Sequence, residues 1–152
     1  MTIKASTGLR NGTLVTGSLR SLLNGGRINI YAGAAPATAD AALGGATLLC
    51  AVTVNSTGTG INFDTAASGG VLQKAPGEVW SGVNVATGVA SFYRHVAAGD
   101  AGDASTTAAR LQGTIGIAGA DLNLSSTSLT SGATQTIDYY SVALPTLRLK
   151  GL

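Results

Sequence analysis

Few side chains in this 152-residue sequence could perform acid–base or nucleophilic chemistry. The chain has one histidine, His95, and one cysteine, Cys50, together with six aspartates and one glutamate. A serine hydrolase requires a nucleophile beside an imidazole that a third group orients, and no G-x-S-x-G elbow occurs here. In strand alternation His95 shares a face with Ser91 and Tyr93, which favours an ordinary sheet or interface residue. We therefore assign no catalytic residue and expect no enzyme activity.

Candidate metal ligands are equally sparse. The loop after Val96 carries Asp100 and Asp103 among small residues, but their spacing lacks the ligand ladder of an EF-type calcium loop. His95 and Cys50 are too far apart in sequence for a zinc-site spacing. Cys50 stands in an apolar run, which favours a buried thiol that packs as a small hydrophobe. We expect neither a metal nor another cofactor.

One cation, Arg94, lies inside the most aromatic stretch of the chain. This stretch, residues 78–96, also contains the only tryptophan, Trp80. It has the pattern of strand, turn and strand, which predicts a β-hairpin at the centre of the core. A buried guanidinium needs a partner, and the expected carboxylate is that of Asp121 or Asp138.

Charge is low and unevenly distributed along the chain. The net charge is +2 overall, with +4 in residues 1–27, −4 in residues 28–144 and +2 in residues 145–152. Basic termini suit contacts with an acidic neighbour such as another copy of the chain, and solvated tails are the alternative. Aromatic residues do not alternate with these charges, so specific nucleic-acid binding is not expected. The candidate interface residues are Lys4, Arg10, Arg20, Arg27, Arg148 and Lys150.

Composition predicts a single all-β domain built from small residues. Glycine accounts for 22 of the 152 residues, while charged residues make up 11% and aromatic residues 5%. About eight or nine short apolar runs are separated by turn signals roughly every ten residues, a pattern typical of a β-sandwich or jelly roll. The candidate core residues within these runs are Ile30, Val52, Trp80, Phe92 and Val142.

The two ends of the chain differ from its middle. Residues 1–17 show no sustained periodicity and are predicted to form an extended N-terminal arm. Residues 18–145 form the predicted sandwich domain, with one short helix near 18–24 that Ser18 caps. Residues 146–152 form a C-terminal tail that alternates apolar and basic side chains. No run is long and apolar enough to span a membrane, and the N-terminus lacks the apolar region of a signal peptide. We therefore expect no membrane partner and expect the protein to be made in a cytoplasm.

Three parts of the sequence together have a familiar pattern: INIYAGAAPATAD at 28–40, EVWSG at 78–82, and GADLNLS at 119–125 followed by GATQTIDYY at 132–140. They resemble a family of small virion-associated proteins of tailed bacteriophages, of the type encoded among head genes. The resemblance spans about residues 8–145. Its motifs mark strands and turns, so it transfers no functional residue to this chain.

The resemblance implies a capsid decoration, or cement, protein on the outer surface of the head shell. Members of such families are usually small β-rich proteins that cluster at symmetry axes, with an extended terminus laced along neighbouring subunits. The expected partners are then the major capsid protein and further copies of the chain, as a trimer or dimer at a symmetry axis. The expected location is the capsid surface of the virion, after synthesis in the cytoplasm of the bacterial host.

Two other functions are left open by the sequence. A head–tail connector or tail protein would keep the phage assignment and change only the position in the virion. A carbohydrate-binding β-sandwich belongs to another class and would need exposed aromatic side chains. The sequence predicts instead that Trp80, Tyr93, Tyr139 and Tyr140 are needed for the core.

Overall fold

The computed structural model describes residues 3–146, in which strands make up most of the regular structure. The two helices are α1 (Thr7–Val15) and α2 (Leu19–Leu23). The strands are β1 (Lys4–Ala5), β2 (Arg27–Ala32), β3 (Thr47–Val54), β4 (Phe63–Ser68), β5 (Val71–Lys74), β6 (Trp80–Val83), β7 (Gly88–Val89), β8 (Phe92–Val96), β9 (Arg110–Gly116), β10 (Leu122–Asn123), β11 (Ser128–Leu129), β12 (Thr134–Ile137) and β13 (Ser141–Ala143). The prediction of an all-β domain is confirmed. Neither described helix has the length and apolarity needed to cross a membrane.

One large antiparallel sheet carries the architecture. Its strands follow the order β1–β9–β8–β2–β3–β6–β12, and β10 adds to β9 in parallel. The sheet β13–β5–β4 packs on one face of the large sheet, where the ring of Phe63 lies 6.3 Å from that of Trp80 and 5.5 Å from that of His95. We call this the inner face and the opposite one the outer face. Two stacked layers of this kind are the arrangement of a β-sandwich; the jelly-roll connectivity stays a prediction.

The two strands of the expected central hairpin do not pair with each other. β6 pairs with β3 and β12, whereas β8 pairs with β2 and β9. Strands β2 and β3 therefore lie between them. A local apolar pattern indicates that a segment is a strand, but pairing depends on which distant segments cover its faces and edges. The predicted core residues are nonetheless buried: Ile30, Val52, Trp80, Phe92 and Val142.

The described part of the predicted extended arm forms a strand and a helix, which corrects the expectation for residues 3–17. β1 pairs with the edge of β9, and α1 follows with Ser6 as its N-cap. Leu9 is buried in the core. A β-carbon on Gly8 would lie 2.3 Å from the carbonyl oxygen of Thr107, so this glycine permits the close approach. The glycines lower helix propensity, and only tertiary packing compensates for that loss.

The second helix lies where the sequence predicts one. In α2 the side chains and backbone N–H groups of Ser18 and Ser21 bond each other reciprocally in a capping box. Gly25 follows the helix with φ +78°, a conformation that glycine adopts without strain. Leu23 is fully buried and anchors the two turns to the core. Residues 3–146 thus contain two short helices rather than the single one expected.

A buried guanidinium, that of Arg94, ties two long loops to the outer face. Arg94 is 0% exposed. Its Nε donates to Oε1 of Gln112 at 2.8 Å, and one terminal nitrogen donates to the carbonyl oxygen of Gly102 at 2.7 Å. The other terminal nitrogen donates to the carbonyl oxygens of Thr38 at 3.2 Å and Ala41 at 2.7 Å. Arg94 thus holds the loops 33–46 and 97–109 through their backbone carbonyl groups, because these loops contain few side chains large enough to anchor them.

The buried guanidinium that pairs with a carboxylate is that of Arg110, not that of Arg94. Arg110 forms a two-pronged ion pair with Asp100, with nitrogen–oxygen distances of 2.6 and 2.7 Å. Burial raises the pKa of Asp100, but the hydrogen bonds from Arg110 and from the N–H of Gly102, together with the charges of Arg110 and Arg94, outweigh this effect and leave that pKa below its usual value. Burial and the nearby charge of Arg110 lower the pKa of Arg94. Asp121 bonds Thr114, so the prediction that it pairs with Arg94 is wrong, as is the same prediction for Asp138.

Replacing Arg94 with methionine should destabilise the fold strongly. The variant leaves the carbonyl oxygens that Arg94 bonded without a donor, and hydrogen bonds to charged donors contribute roughly 1.5–3 kcal/mol each. We expect the free energy of unfolding, measured by urea denaturation, to fall by about 3 kcal/mol or more. The matched control is Arg27→Met, because Arg27 is exposed. Equal stability of the two variants would show that Arg94 does not hold the loops.

Candidate functional site

The outer face of the large sheet is covered at one end and open at the other. Gln112, Arg94, Asn29 and Ala51 are directly opposite one another across β9, β8, β2 and β3, so they form one row on this face. The loops cover the row as far as Asn29, which is 3% exposed. Beyond it, at Ala51, the face opens into a groove of about 420 Å³.

The open groove is lined mainly by glycine, alanine and small hydroxyl side chains. Its lining residues are Gly25, Gly26, Arg27, Ala51, Thr53, Ser56, Gly58, Gly60, Gly82, Val83, Val85 and Ala97 to Gly99. Arg27 is the one charged side chain among them. Small side chains leave the backbone accessible, so the groove can accept an extended segment or a flat surface at close range.

Apolar side chains line one side of the groove. Val83 and Val85 are 49% and 63% exposed, while Asn84 between them is 4% exposed. Asn84 points inward because its amide nitrogen donates to the carbonyl oxygen of Thr130 and its backbone bonds Ala133. Val83 and Val85 therefore share one side of the chain, and that side is the exposed one. The two exposed valines add apolar surface along one side of the groove.

The structure does not bring the predicted basic interface residues together. Lys4 donates to the carbonyl oxygen of Ala37 in the 33–46 loop, and Arg10 lies on the exposed side of α1. Arg20 lies against β4, where its Nε donates to the carbonyl oxygen of Asp64 at 2.7 Å. Only Arg27 lines the groove. The predictions for Arg148 and Lys150 lie outside the described residues.

His95 lies in an aromatic cluster on the inner face. It is 1% exposed, and its ring lies 5.5 Å from the rings of Phe63 and Tyr140 and 6.4 Å from that of Trp80. Its Nδ1 lies 3.2 Å from the hydroxyl oxygen of Tyr140. Burial lowers the pKa of His95 to about 3, so the ring is uncharged at neutral pH. The only imidazole of the chain therefore packs as part of the core.

The surroundings of Cys50 and of the two loop aspartates, Asp100 and Asp103, are those of structural residues. Cys50 is fully buried, as predicted, and burial raises the pKa of its thiol to about 11. Asp100 bonds Arg110, and Asp103 is exposed on the loop surface. Within residues 3–146 no group of three or more His, Cys, Asp or Glu side chains is placed to hold a metal ion.

Tyr139 corrects a further expectation, because it lies outside the core. It is 92% exposed, whereas Tyr140 beside it is buried. Tyr139 borders a notch of about 200 Å³ that Asp121, Asn123 and Ser141 also line. The sequence does not reveal which of two adjacent tyrosines faces inward, since β12 ends at Ile137 and the strand alternation stops there.

Comparison with family models, curated proteins and solved structures gives no match to this chain.

The stability of the fold should depend on pH through His95. An unfolded histidine binds a proton near pH 6.5, whereas folded His95 binds one only near pH 3. Between these values the unfolded state binds more protons than the folded state. The contribution of the uncharged His95 to the free energy of unfolding is therefore complete above about pH 6.5 and is lost as the pH falls. We expect the free energy of unfolding to drop by about 1.4 kcal/mol per pH unit from pH 6 to pH 5.

The variant His95→Gln isolates this effect, because the chain has no other histidine. Chemical denaturation at pH 5, 6 and 7 should show the slope for the wild type and a nearly flat dependence for the variant. The carboxyl groups whose pKa the fold lowers, Asp40, Glu78 and Asp100, act at lower pH. A slope that persists in His95→Gln would contradict this assignment.

Proposed function

We propose that this chain is a non-enzymatic structural protein of a tailed-phage virion, and specifically a capsid decoration protein that self-associates on the head shell and stabilises it. The class comes from the sequence resemblance of residues 8–145. The observation that carries the mechanism is the open groove on the outer face, with exposed Val83 and Val85 along it. In this proposal the groove is the surface that meets a neighbouring subunit.

The composition of the groove suits repeated subunit contacts. Glycine and alanine allow backbones to approach closely, and the valines add apolar area that water leaves on association. With Arg27 as its one charged lining residue, the groove has little to desolvate when a neighbour covers it. Many copies of a modest contact would together strengthen a shell against the pressure of packaged DNA.

The partners follow from the same proposal. One is the major capsid protein, and the other is a further copy of this chain at a symmetry axis of the shell. Closed symmetric assemblies repeat one contact, so a single groove on each copy is sufficient. A place in the neck or tail of the virion is the alternative, and it requires far fewer copies per particle.

Copy number in purified particles tests this proposal. We expect the ratio of this chain to the major capsid protein, measured by quantitative mass spectrometry, to be near one or a simple fraction of one.

Val85→Asp should reduce the affinity for particles at least about tenfold, because it would bury an unpaired charge at the contact. The matched control is Ile117→Asp, since Ile117 is equally exposed and does not line the groove.

Each outcome of this experiment has a distinct reading. A few copies per particle would place the chain in the neck or tail. Absence from particles would contradict the virion proposal. Equal binding by the Val85→Asp and Ile117→Asp variants, with normal copy number, would keep the protein in the virion and remove the groove as its contact surface.

One observation favours a second candidate, a carbohydrate-binding module. The exposed ring of Tyr139 can cover the apolar face of a sugar, and the notch beside it offers an amide, a hydroxyl and the carboxylate of Asp121. The N–H and hydroxyl of Thr114 donate to Oδ2 of that carboxylate at 2.9 and 3.1 Å and hold it in place. An aromatic platform beside a few fixed polar groups is a common form of ligand site.

Substitution of Tyr139 tests the second candidate. If the chain binds a glycan, Tyr139→Ala should weaken binding roughly tenfold, because the contact of an aromatic ring is lost. Tyr139→Phe should bind almost normally, since it retains the ring. A glycan array followed by titration calorimetry measures both effects. Failure of the wild type to bind any glycan on the array would eliminate this candidate.

A further inference from the structure

The outer face of the large sheet has a covered half beside an open half. In the covered half the loops 33–46 and 97–109 lie over the sheet, where Arg94 bonds the carbonyl oxygens of Ala41 and Gly102. The open half is the groove of about 420 Å³. The two halves adjoin, because residues 97–99 at the start of the second loop line the groove. One face therefore carries both an elevation and a hollow.

Each half also carries one exposed charged residue that forms no ion pair within residues 3–146. Arg27 is the charged lining residue of the groove. Of the three aspartates in the two loops, Asp40 and Asp100 bond residues of their own chain, whereas Asp103 is exposed. Gly102 is buried and bonds Arg94, so Asp103 beside it lies on the solvent side of the loop above the sheet. The hollow thus offers a cation and the elevation offers a carboxylate.

The side chains of the two halves match in size. Residues 97–109 read AAGDAGDASTTAA, so the loop contains only small residues and two aspartates. Ala101 and Ala104 are exposed on either side of Gly102 and Asp103. The groove is lined mainly by small residues as well, with the exposed valines Val83 and Val85 along it. Small side chains on both surfaces permit close approach, and alanine against valine removes apolar area from water.

We propose that two copies of this chain pair through their outer faces, so that the 97–109 loop of each copy lies in the groove of the other and Asp103 bonds Arg27 across the contact. A two-fold axis between Arg27 and the loop generates this arrangement, since each residue of such a contact meets its counterpart twice. The inference rests on the proposed function in treating the groove as a subunit contact, and it names a second copy as the occupant.

A second copy is favoured over an unrelated partner because one face supplies both sides of the contact. The cation of the groove meets the carboxylate of the loop, and the hollow meets the elevation, in both directions at once. A contact of this kind closes after two copies, so neither groove remains open and no chain of further subunits forms.

A charge-exchange experiment on the purified full chain tests this contact. In a dimer of the Arg27→Glu variant, or of the Asp103→Arg variant, like charges lie opposite each other at both ion-pair positions. We expect sedimentation equilibrium to show a dimer for the wild type and a dissociation constant at least about tenfold higher for each variant.

Mixing the two variants should restore the contact. In a heterodimer of Arg27→Glu with Asp103→Arg, opposite charges meet at both positions, so its affinity should lie within about threefold of the wild-type value. Native mass spectrometry identifies the heterodimer by its mass. The matched control is Arg10→Glu, which should dimerise as the wild type does, because Arg10 is exposed on α1 and does not line the groove.

Three results would overturn the proposal. The first is a wild type that stays monomeric up to about 1 mM. The second is an Arg27→Glu variant that dimerises as strongly as the wild type. The third is a dimer that Arg27→Glu weakens and that mixing with Asp103→Arg does not restore, since Arg27 would then face a group other than Asp103.

This experiment needs no virus particle, so its outcome is separate from that of the copy-number measurement. Heterodimers that form as described, from a chain that is absent from particles, would keep the inference and remove the virion proposal. Normal copy number with a monomeric wild type would do the reverse. If Arg27→Glu then also lost particle binding, the groove would belong to the capsid protein instead of a second copy.

Discussion

Two buried guanidinium groups hold much of this protein together. Arg94 and Arg110 donate to carbonyl oxygens of the 33–46 loop, and that loop in turn binds the start of α1 through Asp40 and Thr7. Asp40 also accepts the N–H of Ser105 through its carbonyl oxygen, which links the second loop. Loops made of alanine and glycine bury little apolar area, so the hydrogen bonds of charged donors replace a hydrophobic anchor.

The same arrangement explains why the outer face has two halves. Near Arg94 and Arg110, the 33–46 and 97–109 loops lie over the sheet and their carbonyl oxygens accept hydrogen bonds from the two guanidinium groups. At Ala51 and Gly82 no long side chain reaches out to hold a loop, and the sheet remains open as a groove. A β-carbon on Gly82 would lie 2.3 Å from the carbonyl oxygen of Ala51, so small residues are required there by the close backbone. The covered half stabilises the sheet, and the open half is accessible from solvent.

The inner face depends on a different interaction, the packing of aromatic rings around Trp80. The only glutamate of the chain, Glu78, orients this residue: its Oε2 accepts the indole N–H of Trp80 at 2.8 Å and the backbone N–H of Asn62 at 2.8 Å. Burial raises the pKa of Glu78, but the hydrogen bonds from Asn62 and Trp80 outweigh it and lower that pKa overall. The carboxylate thereby joins β6 to the turn before β4. It also fixes the position of Trp80 in a core that contains few large side chains.

The sequence by itself determined the features that depend on neighbouring residues. The Ser18 cap of α2, the buried thiol of Cys50 and the burial of Trp80 in the core all follow from local patterns. Tertiary structure alone decided the strand partners of β6 and β8, the helix α1, the carbonyl partners of Arg94 and the outward direction of Val83, Val85 and Tyr139. Each of these depends on contacts between residues far apart in sequence, and period-two alternation does not state which side of a strand will be covered. The open groove is such a feature, because it exists only where the loops pinned by the two arginines end.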